Sequence, residues 1–267
     1  MIGPIIGDIA GSRFEFNNWR SKEFDLFTTK CFFTDDTVMS LAICQALLEW
    51  REPGAFVDLE ARVVQTMQEF GVLYPNSGYG GRFRVWLRTE NPKPYGSFGN
   101  GSAMRVSGCG YVAESIEEAI SLSRIVTAVT HNPPEGIKGA EATAVAVYLA
   151  RTGKSMREIR EYIEDRYYKI DFTLDEIRPT YEFNETCQET VPQAFAAFFE
   201  STSFEDCVRN SISVGGDSDT LAAIACGVAE AYYGVPDDLR RSAVGYLDER
   251  LRGILMAFES QYPAKRV

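Results

Sequence analysis

Two short acidic blocks at opposite ends of the chain, Thr34-Asp35-Asp36 and Asp217-Ser218-Asp219-Thr220, each stand at the mouth of an apolar run of helical character. Alone, either block reads as a helix start, because Thr and Asp cap helix N-termini and acidic side chains in a first turn are favoured by the helix dipole. Their repetition is what constrains the fold. Each block precedes small or apolar residues, Val38-Met39-Ser40-Leu41-Ala42 in one case and Leu221-Ala222-Ala223-Ile224-Ala225 in the other, and two such blocks exceed what capping needs. They suit two halves of one metal site. If Asp35, Asp36, Asp217 and Asp219 converge, they bring a formal charge of about −4, which cannot stay ionised in a small volume without counter-charge. Two divalent cations supply about +4, and carboxylate and hydroxyl oxygens without thiolate or imidazole are the ligand set of Mg²⁺ or Mn²⁺ rather than zinc.

Helix signals dominate the rest of the chain. Ser/Thr-x-x-Glu/Asp starts recur at Ser115 with Glu118, Ser155 with Glu158, Thr173 with Glu176 and Ser203 with Asp206, each a capping box or an acidic variant of one. Apolar residues follow at helical spacing, as in Ile116, Ile120, Leu122 and Ile125. Further helices are expected over 37–50, 55–71, 135–151, 219–233 and 237–260, punctuated by Pro53-Gly54, Gly153 and Gly234. Alternating strand patterns are scarce, so the expected architecture is all-α, roughly ten helices, with the site on loops at one end of the bundle. The helix over 135–151, rich in Gly and Ala, reads as a core packing helix. Gly7 and Gly11, one turn apart, would let the N-terminal segment pack closely. Gly and Pro cluster between 71 and 110, which marks the loop-rich, ligand-contacting region.

With 267 residues and 45% hydrophobic content, one compact domain over 1–267 is the simplest organisation. A formal net charge of −11 and the absence of a Lys/Arg run disfavour an extended nucleic-acid footprint, although a nucleic-acid end could still be a substrate. Six scattered cysteines without a Cys-x-x-Cys pair read as buried thiols in a reducing compartment. No basic leader and no membrane-length apolar run are evident, so a soluble, cytoplasmic protein with no membrane partner is expected, and a monomer.

The single histidine, His131, excludes zinc sites that need two imidazoles and His-Asp phosphohydrolase motifs. It stands between two helices in Thr130-His131-Asn132-Pro133-Pro134, where a structural role and ligand contact are both open. No Gly-x-Ser-x-Gly elbow is present. Gly108-Cys109-Gly110-Tyr111-Val112-Ala113 matches the dinucleotide fingerprint in its Gly/Ala form, but no βαβ pattern surrounds it. Gly99 to Ser102 lacks the ending of a P-loop, yet such a turn leading into a helix can offer backbone N–H groups to phosphate. An isoprenoid diphosphate synthase would need further acids after Asp35-Asp36, where this chain has Thr37-Val38-Met39-Ser40. On spacing alone Glu15 is a surface carboxylate or a salt-bridge partner for Arg13.

Taken together, Gly7-Asp8-Ile9-Ala10-Gly11-Ser12, Phe33-Thr34-Asp35-Asp36-Thr37, Gly99-Asn100-Gly101-Ser102-Ala103-Met104-Arg105, Thr130-His131-Asn132 with Pro134-Glu135, and Gly215-Gly216-Asp217-Ser218-Asp219-Thr220 resemble the ADP-ribosylglycohydrolase family over nearly the whole chain. The resemblance implies a compact orthogonal multi-helix bundle of the ADP-ribosylglycohydrolase type with a binuclear Mg²⁺ or Mn²⁺ cleft. It implies Thr34, Asp35, Asp36, Asp217, Asp219 and Thr220 as ligands, and places Glu15 beside the metals. By the same likeness Asn100, Gly101 and Ser102 would hold phosphate and ribose, Tyr79 and Gly80 would form a flanking loop, Phe98 would stack on an aromatic base, and His131 would line the adenosine side. Some arginine-specific relatives carry an extra acid in a loop after the first block. The comparable segment here, Tyr74-Pro75-Asn76-Ser77-Gly78, has none.

The implied activity is metal-assisted hydrolysis at the anomeric carbon of the distal ribose, with Glu15 or Asp35 as general acid or base. The implied partners are ADP-ribose and an ADP-ribosylated acceptor, such as a modified arginine or serine side chain. Alternatives are an O-acetyl-ADP-ribose or nucleic-acid-end ADP-ribose hydrolase, a non-catalytic ADP-ribose binder, and a metal-dependent hydrolase of a phosphorylated nucleoside.

Overall fold

The computed structural model describes residues 1–52, 54 and 58–265. It is all-helical, with α1 (Ile2–Gly11), α2 (Asp35–Arg51), α3 (Leu59–Leu73), α4 (Gly81–Trp86), α5 (Gly101–Met104), α6 (Ser107–Val112), α7 (Ile116–Ala128), α8 (Pro134–Arg151), α9 (Met156–Arg166), α10 (Leu174–Ile177), α11 (Cys187–Phe199), α12 (Phe204–Ser213), α13 (Ser218–Tyr233), α14 (Asp237–Val244) and α15 (Glu249–Gln261). Ten of these reach ten residues or more, and five are shorter. Among the described residues the one β pairing is an isolated bridge, Gly99 to Thr186. No helix is long and apolar enough to cross a membrane.

The centre of the bundle is α1 lying antiparallel against α13. Every residue of α1 is buried, and α13 is buried from Ser218 to Ala231. Small residues make the approach possible. A Cβ on Gly3 would stand 2.4 Å from Cys226 O, one on Gly7 2.4 Å from Ala222 C and O, and one on Gly11 2.5 Å from Asp219 Cα. The three glycines therefore form a ridge without side chains, one turn apart, on which the backbone of α13 rests. Ile5, Ile6 and Ile9 face the remaining core at 0% exposure, each contributing about 1.5–3 kcal/mol of burial. At the far end Glu230 of α13 accepts from Gly3 N at 2.7 Å and Ile2 N at 3.2 Å, satisfying two otherwise free donors at the start of α1.

The remaining helices pack around this pair. The Gly/Ala-rich α8 is buried over most of its length and meets α5, α6, α7 and α13, as expected of a core packing helix. The four expected capped starts are all present, with reciprocal boxes at Ser155/Glu158 and Thr173/Glu176 and one-sided caps at Ser115 and Ser203. The six cysteines are free and buried.

Two helix expectations change. The single helix expected over 237–260 is two, α14 and α15, because Gly245 ends the first and Asp248 caps the second by accepting from Leu251 N. Pro53 and the first three residues of the helix expected over 55–71 lie outside the described residues, and α3 begins at Leu59 with Asp58 as its cap. The acidic block of α2 also lies inside the first turn rather than ahead of it.

The ridge gives a direct test. Gly7→Ala pushes a methyl group into the α13 backbone and should destabilise the protein by about 1–3 kcal/mol or more. Gly253→Ala, in α15 with nothing within 4 Å of the added Cβ, should stabilise it by about 0.5–1 kcal/mol. Urea denaturation of both variants checks the pair, and equal midpoints would refute the close approach.

Candidate functional site

The antiparallel α1–α13 pair brings the C-terminal end of α1 beside the N-terminal end of α13, and α2 starts at the same place. Asp8, buried in α1, makes that junction. Its carboxylate accepts from Thr34 N at 2.9 Å, Thr34 Oγ1 at 2.8 Å, Thr37 N at 3.0 Å and Thr37 Oγ1. Two of these donors are orphan N–H groups at the start of α2, so Asp8 fixes that helix end to α1.

The second block is delivered by a tight turn of two left-handed glycines. Gly215 and Gly216 hold φ of +78° and +71°, and a Cβ on Gly216 would stand 2.5 Å from the Tyr181 ring. Only glycine fits there without strain. The turn is held by Asn18 Oδ1, which accepts from Gly216 N at 2.7 Å, and by Arg20 Nη1, which donates to Val214 O at 2.5 Å and Arg178 O at 2.6 Å. Asp217 is then the N-cap residue of α13, and Asp219 lies in its first turn.

The two blocks meet. Thr220 Oγ1 donates to Asp36 Oδ2 at 3.1 Å, and Asn100 Nδ2 donates to Asp217 Oδ2 at 2.6 Å. Glu15, Asp217 and Asp219 each offer a carboxylate oxygen, and the three lie within 4.8 Å of one another. Asp36 Oδ1 and Asp219 Oδ1 are buried without a hydrogen-bond partner. Orphaned carboxylate oxygens among oxygen-only donors fit hard divalent cations. The Thr220 hydroxyl gives its hydrogen to Asp36 and keeps oxygen lone pairs for a cation, whereas the Thr34 hydroxyl donates to Asp8 and accepts from Asp36 N as the cap of α2.

Crowding shows in the proton affinities. Burial, then the neighbouring Asp8 charge, pushes Asp35 up to about 8. Burial, then Asp217, raises Glu15 to about 7. Burial raises Asp8 to about 6 despite the hydrogen bonds from Thr37 and Thr34 that oppose it. Asp36, Asp217 and Asp219 are raised as well, burial first in each case. The N-termini of α2 and α13 both point their positive dipole ends here, which partly offsets the repulsion.

One cleft collects most of the residues singled out from sequence. Glu15, Asp35, Asp36, Asp217, Asp219, Thr220, Gly80, Asn100, Gly101 and His131 line it. Four do not. Thr34 lies behind the cleft wall on Asp8, and Tyr79 is buried with its ring against Phe83. Ser102 is buried, its hydroxyl donating to Gly99 O at 3.1 Å, and Phe98 is exposed beside the cleft. Asn100 spends its amide on Asp217 and on Thr190 Oγ1 at 3.1 Å, so its side chain serves the acidic block. The surface role open to Glu15 is replaced by a half-buried place among acids, while Arg13 turns to Asp25 O and the Phe14 ring.

Sequence reasoning missed Asp8, Tyr95, Arg105, Phe183 and Glu185. Asp8 left a signal, a lone carboxylate in an otherwise apolar helical run. Glu185 and Phe183 left none, because they reach the cleft through the bridge that joins the 97–100 and 184–187 segments, in which Asn100 N donates to Glu185 O at 2.7 Å and Cys187 N to Phe98 O at 3.0 Å.

A family model described as ADP-ribosylglycohydrolase matches residues 1–264. The chain is similar to ADP-ribosylhydrolase ARH3 of Homo sapiens, at 29% identity covering 92% of this chain and 88% of that protein. It is also similar to ADP-ribosyl-[dinitrogen reductase] glycohydrolase of Rhodospirillum rubrum, at 26% identity covering 82% and 74%. A solved structure titled ADP-ribosylglycohydrolase-related protein complex superposes with a TM-score of 0.69 at 21% identity, covering 98% of this chain and 95% of that one, which shows a shared fold.

Linkage fixes the pH behaviour of the protein without bound cations. Carboxyl groups raised in the folded state bind protons more tightly there than in the unfolded chain, so their contribution is favourable at low pH and is lost as pH rises toward the folded values of Asp8, about 6, and Asp35, about 8. The melting temperature in chelator should therefore fall between about pH 5 and pH 8, and millimolar Mg²⁺ or Mn²⁺ should raise it more at pH 8 than at pH 5. A melting temperature indifferent to divalent cations at both values would count against a cation site.

Proposed function

The chain belongs to the ADP-ribosylglycohydrolase family, and from that membership we propose that it hydrolyses the glycosidic bond between C1 of the distal ribose of ADP-ribose and an acceptor such as a modified arginine or serine side chain. The observation that carries this reading is the meeting of the two acidic blocks, with Thr220 bonded to Asp36 across them and two carboxylate oxygens left without partners. Thr34, Asp35, Asp36, Asp217, Asp219 and Thr220 would hold two Mg²⁺ or Mn²⁺ ions, which when bound supply charge neutralisation, polarisation and a fixed platform for ribose hydroxyls.

The chain's own groups do the rest. Glu15 lines the cleft with a carboxylate oxygen within 4.8 Å of those of Asp217 and Asp219, which places it to give or take a proton at the acceptor atom. Asp35, also lining the cleft, is the second candidate for that role. Burial, then the nearby Arg105 charge, holds His131 well below the usual imidazole range, which makes it a weak base and a poor acid for this step. The Gly78–Gly80 loop closes one side of Asp35, where a Cβ on Gly78 would stand 3.3 Å from Asp35 Oδ1.

We take residues 1–267 as one domain acting as a soluble, cytoplasmic monomer. The O-acetyl and nucleic-acid-end linkages stand as alternatives to a modified side chain, with Glu185 and Phe183 among the residues lining the cleft.

Release of ADP-ribose from ADP-ribosyl-arginine, ADP-ribosyl-serine and O-acetyl-ADP-ribose, measured with Mg²⁺ or Mn²⁺, tests the reading. At least one should be cleaved to intact ADP-ribose, and Asp36→Ala and Asp217→Ala should abolish release. Glu15→Gln should lower kcat by about 10²–10⁴-fold with ADP-ribose affinity little changed. Free phosphate as the product, or release untouched by both aspartate variants, would overturn the proposal.

A further inference from the structure

The stretch 12–34 between α1 and α2 forms neither helix nor strand, yet it carries Glu15 into the cleft. A guanidinium in that stretch ties it to the second acidic block. Arg20 Nη1 donates to Val214 O at 2.5 Å and to Arg178 O at 2.6 Å, and Nη2 donates to Tyr181 O. Val214 and Arg178 are the C-cap residues of α12 and α10, so Arg20 satisfies carbonyls left free where two helices end and meets the negative dipole end of α12. Asn18 works beside it. Its Oδ1 accepts from Gly216 N at 2.7 Å and its Nδ2 donates to Glu182 Oε2 at 3.1 Å, while Glu182 Oε1 accepts from Arg20 Nη2 at 3.3 Å. Gly215 leaves the room for both, since a Cβ there would stand 3.1 Å from Arg20 Nη1 and from Asn18 Oδ1.

These bonds join three segments around the acids. Asp217 follows Gly216 directly, and Glu15 lies just ahead of Asn18 and Arg20. The carboxylate oxygens of Glu15, Asp217 and Asp219 lie within 4.8 Å of one another. Like charges at that distance repel, so the spacing is imposed by the surrounding backbone and not by the acids themselves. Anchoring of the loop as such is served elsewhere: Arg209 Nη1 donates to Lys22 O at 2.9 Å and Phe24 O at 2.8 Å, and Lys22 pairs with Asp206. Those contacts fasten the loop to α12, whereas Arg20 and Asn18 sit on the turn that delivers Asp217. A planar fork is what the position requires, because two of its nitrogens reach three carbonyls on different segments.

We propose that Arg20, assisted by Asn18, is a positioning residue of the cleft: it sets the distance of Glu15 from Asp217 and Asp219, and through that distance the affinity for the divalent cation that these oxygens take. This rests on the cation-dependent reading above and adds what fixes its geometry. Neither residue lines the cleft. Both act through the 214–216 turn.

Titration of the full chain with Mn²⁺, the free ion followed by electron paramagnetic resonance, tests this without relying on turnover; melting curves in chelator accompany it. Arg20→Met should weaken at least one Mn²⁺ by about 10–100-fold, the usual effect of losing a residue that orients metal ligands. Arg20→Lys keeps the charge without the fork and should recover only part of that loss. Asn18→Ala, at an exposed position, should weaken the same ion by a smaller factor and keeps the test open if Arg20→Met does not fold. Arg209→Met loosens the same loop away from the turn, so it should lower the melting temperature yet leave Mn²⁺ affinity within about twofold of the parent. Unchanged Mn²⁺ affinity in Arg20→Met and Asn18→Ala, or an equal loss in Arg209→Met, would overturn the assignment. The two readings fail separately. Arg20-dependent Mn²⁺ binding with no linkage cleaved removes the hydrolase and keeps the positioning role; normal turnover with parental Mn²⁺ affinity in the Arg20 and Asn18 variants does the reverse. An unaltered protein that takes up no Mn²⁺ removes both.

Discussion

Everything at the acidic cleft depends on one buried carboxylate. Asp8 holds the first turn of α2 through two backbone amides and two hydroxyls, and it does so from a helix whose adjoining face is locked onto α13 by glycine. Without that joint the two acidic blocks would belong to helices with no reason to start at the same place. A buried carboxylate is tolerated when its hydrogen bonds are complete, and the accounting at Asp8 comes close to complete. Its chemistry is therefore structural, although it adds to the negative field felt by Asp35 and Asp36.

The energetics of the cleft run against folding until counter-charge arrives. Six acids face one another with their proton affinities raised, and two helix dipoles offset only part of the repulsion. Such an arrangement is an electrostatic cost that a bound cation would offset, and oxygen-only donors are the set that suits hard ions. Arg105 answers the same field differently. It is fixed in the fold, buried on the cleft wall, with its Nε left without a partner.

The acidic blocks and most helix starts were legible because they are local. A Thr-Asp-Asp run is readable without knowing its partner, and a capping box declares itself within four residues. Family resemblance supplied what spacing alone left open at Glu15. The roles of Asp8, Arg105 and Glu185 were not legible, since each is defined by residues brought near only in the fold: Thr37 for the first, Thr130 for the second, the Gly99–Thr186 bridge for the third. The break at Gly245–Asp248 was written in residues that end and start helices, but amphipathic spacing on either side masked it.

The α1–α13 pair has one more property. Its surfaces mesh backbone to backbone, Glu230 ties one end, and the Asp8 joint to α2 ties the other. A rail fastened at both ends has no soft sliding coordinate, so the spacing of the acidic rows is a rigid dimension of the molecule. The 97–100 segment is fastened as well, to 184–187 and to Asp217, so breathing that admits a ligand or lets a product leave is left to the Gly78–Gly81 turn, where Gly80 and Gly81 have open space around them.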